Sequence, residues 1–496
     1  IASFWKSLRT NEGIMHSGIN MKKTSVLAMS ITVVILFSFL LSGITPVKAE
    51  VYETEIVIIS PHAKGILDAY KNAFEAYAKA VLNVSITLTT SYYSSEDCYR
   101  QAKEWAGRPR ADVWWGGGID LFSKAAQEGL LMGHKAKDWA RIPDTWFGIP
   151  AKDVNGYWTG YALSGFGFAY HTEYLRRYNL PAPQNWTDLL NPIYRGHVVM
   201  CTPRRSSSTH TMAEIILQGM GTTNGWGYLR RMAVNVGLYT DRSHTVILDV
   251  NSGEHGIGLV VDYYGFESAA AGLNVSFTYP KDYSFMNPDS IAILAGAPHT
   301  QTAKAFIDYV LSEEGQKLSM GIEQRGFKSS SPRFTIRPDI PIPTYLPNIT
   351  GLRQISYNNT LAQQRWNDVN TIYEDTIEKQ QSTLKSSWIT IETAETYIIS
   401  LYVKGYDVTA GINEVNSAKS TFDAGNYTLA STIAKGAGDK VYEAKIAAMQ
   451  AQLTALTNQV KSLEATSTSY LIIAVVLAPI CLIAGFVLGR RKKATA

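Results

Sequence analysis

Along the chain, short apolar runs alternate with longer stretches in which apolar positions recur at helical spacing. Residues 55–59 form a β-branched run with the pattern of a strand, and residues 64–82 place their apolar side chains on one helical face. The succession continues with a strand over 84–89, a helix over 96–106, a strand over 111–115 and a helix over 121–128. Farther along come a strand at 196–200, helices at about 211–220 and near 226–234, a strand at 245–249 and a helix before Gly256. Strands and helices in alternation require crossover connections, which predicts an α/β fold with parallel sheet covered on both faces. Two such lobes fit the length, and ligands of such sheets sit beyond the carboxyl ends of the strands.

The two ends have a different pattern. Met21-Lys22-Lys23, an apolar run over 26–41 and the small residues before Ala49 read as a secretory signal over 21–49, cleaved after Ala49, or else as an uncleaved anchor. Residues 1–20 read as an upstream extension. At the other end, residues 470–488 are uncharged and apolar, and as a helix they span roughly 28 Å, enough for a bilayer core. Arg490-Arg491-Lys492-Lys493 follows, so the positive-inside rule puts the tail 489–496 in the cytoplasm and the bulk of the chain outside the cell. Between head and membrane, 381–469 is expected to be a helical stalk. Its end carries a heptad seam through Tyr442, Ile446, Met449, Leu453, Leu456, Val460 and Leu463, a coiled coil that pairs with another copy or within the chain. Sequons at Asn83, Asn185, Asn274, Asn348, Asn358 and Asn426 are open to glycosylation.

Composition narrows the classes. With 46% hydrophobic residues and 18% charged, the chain is too apolar to be disordered. The formal charge of +4 comes from the basic ends. The segment 50–488 is mildly acidic and has no basic stripe with interleaved aromatics, so no nucleic acid is expected as a partner. Three cysteines exclude a disulfide scaffold; with Cys481 in the apolar run, Cys98 and Cys201 are the one pair that could bridge.

Four loops at strand ends carry candidate chemistry. His62 follows the first strand, where it is either a ligand contact or a structural histidine. Trp115-Gly116-Gly117-Gly118 follows the third, and its glycines allow backbone N–H groups to approach a ligand or simply make a tight turn. In the third loop, Ser206-Ser207-Ser208-Thr209 precedes a helix beside Arg204 and Arg205, suited to holding an oxyanion and richer than the single hydroxyl a helix cap needs. In the fourth, an apolar stretch ends in Asp262-Tyr263-Tyr264; adjacent phenolates suit a hard trivalent cation, and packing is the alternative.

Ala111-Asp112-Val113-Trp114-Trp115-Gly116-Gly117-Gly118, the 203–211 loop, Gly253-Glu254-His255-Gly256 leading to Tyr263-Tyr264, and the helix over 303–316 ending in Glu-Gly-Gln together resemble the extracellular solute-binding proteins of ABC importers, over about 51–380. The nearest branch is the ferric-iron, thiamine and phosphonate group. The resemblance implies a two-lobed type II periplasmic-binding-protein fold. Lobe 1 would comprise 50–164 and 286–335; lobe 2 and the closing helices would comprise 165–285 and 336–380, with crossings near 164–169 and 283–292. It also implies a permease and an ATPase as partners and, with the anchored architecture, an archaeal cell surface. In the iron-binding members, paired tyrosines, a histidine, a carboxylate and an anion hold the metal. Tyr263, Tyr264 and His62 match three of these ligands, and Ser206 to Thr209 match the anion loop. Where the carboxylate is expected this chain has Gly116-Gly117-Gly118, with Asp120 the nearest acid.

Ferric iron with a synergistic anion is therefore the first expectation, with phosphonates, sugar phosphates, thiamine or other organic solutes open; no cofactor is required. An enzyme is not expected, since no HExxH, GxSxG or cysteine-nucleophile setting occurs. A surface hydrolase or adhesion protein is the different-class alternative.

Overall fold

The computed structural model describes residues 51–464. The expected upstream extension, signal peptide, transmembrane helix 470–488 and cytoplasmic tail lie outside the described residues. Among the described residues, no helix is long and apolar enough to cross a membrane.

The first lobe opens with strand β1 (Glu55–Ser60), helix α1 (Lys64–Tyr77), β2 (Thr87–Tyr92), α2 (Ser95–Glu104), β3 (Val113–Gly118) and α3 (Ile119–Gln127). β1 runs between β2 and β3, parallel to both, with Ile56, Ile58 and Ile59 buried. Burial on both faces is why it reads as an apolar run instead of an alternation. β2 begins three residues later than its sequence pattern suggests. The helix before it runs on through a π turn, Ala78–Leu82, and stops at Asn83 in the left-handed region (φ 56°).

The second lobe follows: β4 (Thr159–His171), β5 (Val198–Cys201), α4 (Ser207–Gly219), α5 (Thr222–Asn235), β6 (Val236–Thr240), α6 (Ser243–Ser252), β7 (Ile257–Val261) and α7 (Asp262–Ala270). The chain then returns through β8 (Met286–Leu294) to α8 (Thr300–Leu311). β7 and β6 flank β5 in parallel. β4 is shared: its first half pairs antiparallel with β8, its second half antiparallel with β7. β8 in turn runs antiparallel to β3. The spatial order is β2-β1-β3-β8-β4-β7-β5-β6, so each three-stranded parallel sheet ends on a crossing strand and the sheet is mixed, not all-parallel as the sequence suggested.

A second correction concerns 245–249, expected as a strand and found inside helix α6. Its β-branched residues mimic a strand, but Val246, Ile247 and Val250 are buried at helical spacing. The helix presses close against the sheet because Gly258 has no side chain: a Cβ there would lie 2.8 Å from Val250 and 2.9 Å from Val246. Cys98 and Cys201 are both buried and free.

After the lobes, α9 (Asn359–Gln364) and α10 (Trp366–Tyr373) form a strap between them. Gln363 meets Gln127 at the end of α3, while Arg365 pairs with Glu214 of α4 and Trp366 stacks on His210 at 3.7 Å. The segment read as a stalk forms three helices, α11 (Gln381–Val403), α12 (Thr409–Asp423) and α13 (Tyr427–Glu464). They are not a bare spacer. α11 and α12 pack on α5 of the second lobe, with Glu392 taking Arg195 at 2.7 Å, Asp423 taking Arg231, and Lys385 donating to the Val236 carbonyl at 2.6 Å. Inside the bundle, α13 buries Tyr427, Ala430, Ala434, Ala437 and Val441, an in-chain seam that ends where the expected coiled-coil seam begins.

Candidate binding cleft

Each parallel strand that ends at the middle of the molecule hands over to a helix, and four of these helix starts converge. α2 follows β2, α3 follows β3, α4 follows β5 and α7 follows β7. Every helix start leaves backbone N–H groups unpaired and carries partial positive charge, so the meeting point favours an anion. Between them lies a cavity of about 50 Å³ lined from both lobes.

Two of the hydroxyls in its lining meet across it. Ser94 caps α2 by accepting from the Asp97 N–H at 3.1 Å, and Ser206 caps α4 by accepting from the Thr209 N–H at 3.2 Å. With capping done by those residues, the first residue of each helix, Ser95 and Ser207, keeps its hydroxyl for the cavity. The two hydroxyls meet across the cleft at 2.9 Å. At the mouth, Arg205 pairs with Asp241 at 2.8 Å, and Arg242 leans over the Tyr92 ring at 5.2 Å without forming an ion pair among the described residues. Gly117, with φ +120°, adopts a conformation that other residues rarely take, and donates its N–H to Asp289. Gly118 has an ordinary φ of −68°, but a Cβ there would come within 2.8 Å of the Asn287 amide.

Behind the cavity a buried cation organises the phenols. Arg333, fully buried, donates to Asp289 at 2.5 Å and to the Tyr161 hydroxyl, and its guanidinium lies 3.8 Å from the centre of the Tyr263 ring. Burial works against its charge, and Tyr161, Tyr263 and Asp289 more than restore it. His62 is held on both ring nitrogens, by the Tyr161 hydroxyl at 2.8 Å and by Arg333 at 3.2 Å. Burial, reinforced by Arg333, pushes its pKa well below the usual histidine value, so it stays neutral. Burial raises Tyr264 to about 12 and drives Tyr263 higher, which keeps both phenols protonated.

Of the residues singled out from the sequence, His62, Gly117, Gly118, Ser206, Ser207, Ser208, Tyr263 and Tyr264 all face this one cavity. Trp115, Gly116 and Thr209 do not. Trp115 packs edge-on to His62 at 5.2 Å, and the open side of Gly116 is filled by the His62 ring, which an added Cβ would meet at 2.4 Å. The Thr209 amide closes the Ser206 cap. Asp120, the nearest acid, is outside the lining and accepts from the Tyr357 hydroxyl at 2.9 Å. Sequence reasoning missed Ser94 and Ser95, whose signal was a strand end followed by Ser-x-x-Asp, a helix-start pattern. It also missed Ser164, Asn287, Asp289 and Arg333, which no local motif marks. Among the described residues, no group of three or more His, Cys, Asp or Glu is placed to hold a metal ion.

Residues 109–330 match the family model of the bacterial extracellular solute-binding proteins. Among curated relatives, the phosphoglycerate transport regulatory protein PgtC of Salmonella typhimurium is 30% identical over 235 residues, covering 47% of this chain and 57% of that protein. The chain thus spans little more than half the length of that relative. Among solved structures, the periplasmic binding protein AfuA of Actinobacillus pleuropneumoniae, with fructose-6-phosphate bound, superposes with a TM-score of 0.59 at 21% identity over 66% of this chain and 99% of that one. Iron-bound HitA of Pseudomonas aeruginosa gives 0.54 at 18% identity over 64% and 99%. The fold is that of the periplasmic solute-binding proteins.

Proposed function

We propose that this chain is the substrate-binding component of an ABC importer and captures a small phosphorylated organic solute in the cleft, delivering it to the outer face of a membrane permease that an ATPase drives. The observation that carries the reading is the meeting of Ser95 and Ser207, one from each lobe, at the first residues of two opposed helices. A phosphoryl group bound there would accept hydrogen bonds from both lobes at once and so favour the closed form. Closure is the event an importer reads, and no bond is made or broken. The names of two similar proteins support the same ligand chemistry, since one concerns phosphoglycerate and the other holds fructose-6-phosphate.

Ferric iron with an anion is the second reading, favoured by the paired phenols in the lining and by the iron-bound relative. Three features weigh against it. Arg333 sets a buried positive charge against the Tyr263 ring, both His62 nitrogens are engaged, and the one carboxylate of the lining, Asp289, already serves Arg333 and the Gly117 N–H. A trivalent cation would have to displace that guanidinium or bear its repulsion.

Titration calorimetry of the purified chain with phosphoglycerate, fructose 6-phosphate and inorganic phosphate tests the first reading, and binding of a phosphorylated compound is expected. A coloured protein with a tyrosinate-to-iron absorption band that vanishes in Tyr263→Phe, together with no phosphate-ester binding, would replace it with the second.

A further inference from the structure

The phosphate-binding reading leaves two polar side chains in the cavity unused. Ser164 lies on β4 and Asn287 on β8, and the two are direct partners in the antiparallel ladder of the crossing strands. Both line the cavity and both are more than nine-tenths buried, at 4% and 6% exposure. Yet the Ser164 hydroxyl and the Asn287 carbonyl oxygen have no hydrogen-bond partner among the described residues. Buried polar atoms are nearly always paired, and leaving them unpaired is costly. Two orphans side by side on the cavity are left for a water or a ligand to satisfy.

We propose that Ser164 and Asn287 form a hydroxyl-reading subsite at the hinge, so that the captured solute is a short phosphorylated polyol or hydroxy acid. This rests on the phosphate reading above. The Asn287 amide and the Ser164 hydroxyl together offer both donors and acceptors, which an alcohol, itself a donor and an acceptor, satisfies more fully than an acceptor-only phosphate or carboxylate. An ammonium group would also donate, but no free carboxylate lines the cavity to balance its charge: Asp289 is spent on Arg333, and Arg205 and Arg242 stand at the mouth. The position a Cβ on Gly118 would take lies 2.8 Å from the Asn287 amide nitrogen and 3.8 Å from the Thr211 hydroxyl, one turn into α4, so the missing side chain at 118 leaves room beside the hinge pair for a small solute. Because β4 and β8 are the strands on which the chain crosses between lobes, a hydroxyl bound there bonds to the axis of closure itself.

The test is calorimetry on the full chain with glycerol 3-phosphate, n-propyl phosphate, 2-aminoethylphosphonate and inorganic phosphate. Glycerol 3-phosphate is expected to bind roughly 10- to 100-fold more tightly than n-propyl phosphate, the cost of leaving the pair unsatisfied. Asn287→Leu is expected to collapse that ratio to within about three-fold. Ser164→Ala, a smaller change checked for folding by thermal melting, is expected to reduce it in the same direction. Equal binding of glycerol 3-phosphate and n-propyl phosphate by the parent protein would overturn the hinge subsite while leaving the phosphate reading intact. Tighter binding of 2-aminoethylphosphonate than of glycerol 3-phosphate would overturn the choice of an alcohol. Failure of every phosphorus compound to bind would remove the phosphate reading and this inference with it.

Discussion

Ser95 and Ser207 permit a double-substitution cycle whose outcome can be worked out in advance. In the closed, ligand-free protein the two hydroxyls bond to each other at 2.9 Å, a neutral contact of about 1 kcal/mol. With a phosphorylated solute bound, each would instead donate to an anion, worth about 2 kcal/mol apiece. Replacing either serine by alanine removes one bond to the solute, but it also removes the ligand-free contact. The net loss is then about 1 kcal/mol, or roughly five-fold in affinity. The second substitution has no ligand-free contact left to remove, so the double variant loses about 3 kcal/mol, more than 100-fold and well beyond the product of the singles. Titration calorimetry of Ser95→Ala, Ser207→Ala and the double variant with one phosphorylated compound reads all three. Strict additivity would mean that the ligand-free lobes stand apart in solution. If both single variants bind as tightly as the parent and the double does too, the meeting point of the helix starts is not the anion site and the reasoning fails.

Further outcomes follow from other parts of the structure. Gly118→Ala accepts its backbone geometry without strain yet brings a methyl group within 2.8 Å of Asn287, so calorimetry should show weaker solute binding with the melting temperature nearly unchanged. Arg333→Met leaves Asp289 without its buried partner and should destabilise the fold by about 3–5 kcal/mol in a urea titration, as expected for breaking a buried ion pair. Burial raises Asp120 to about 7, with the Tyr357 hydroxyl pulling the other way. The folded state then holds a proton that the unfolded chain releases near pH 4, so this residue erodes stability as pH climbs from about 4 to 7 and adds nothing more above that. Asp120→Asn should flatten the stability–pH curve in that window, with the variant gaining on the parent toward pH 7 and matching it near pH 4. Asp423→Ala, which removes the partner of Arg231, should speed hydrogen exchange in α11 and α12 while solute affinity stays at the parent value.

How much of this was legible in the sequence depended on whether a residue acts through its neighbours in the chain or across space. β1 and α1 show as a β-branched run and a helical face, and the hydroxyls at 206–208 show as a helix start. The eight residues that share the cavity were found because each stands at a strand end, a position that periodicity does reveal. β4 escaped notice because it is buried along nearly its whole length and studded with Gly160, Gly165 and Gly167, so it has neither alternation nor a clean apolar run. α6 was misread because Thr245, Val246 and Ile247 favour a strand and only packing on the sheet makes them helical. Arg333 reaches Tyr161, Asp289 and Tyr263 from far along the chain, and nothing in its own surroundings tells of it. The paired tyrosines line the cavity; what the sequence could not disclose is the guanidinium lying on one of them.

The three helices fastened to the second lobe have a mechanical consequence. Through Glu392, Asp423 and Lys385 they tie α13 to the second lobe, whereas the strap of α9 and α10 touches both lobes. If a solute draws the lobes together as proposed, whatever grips α13 travels with the second lobe and whatever rests on α1 or α2 travels with the first.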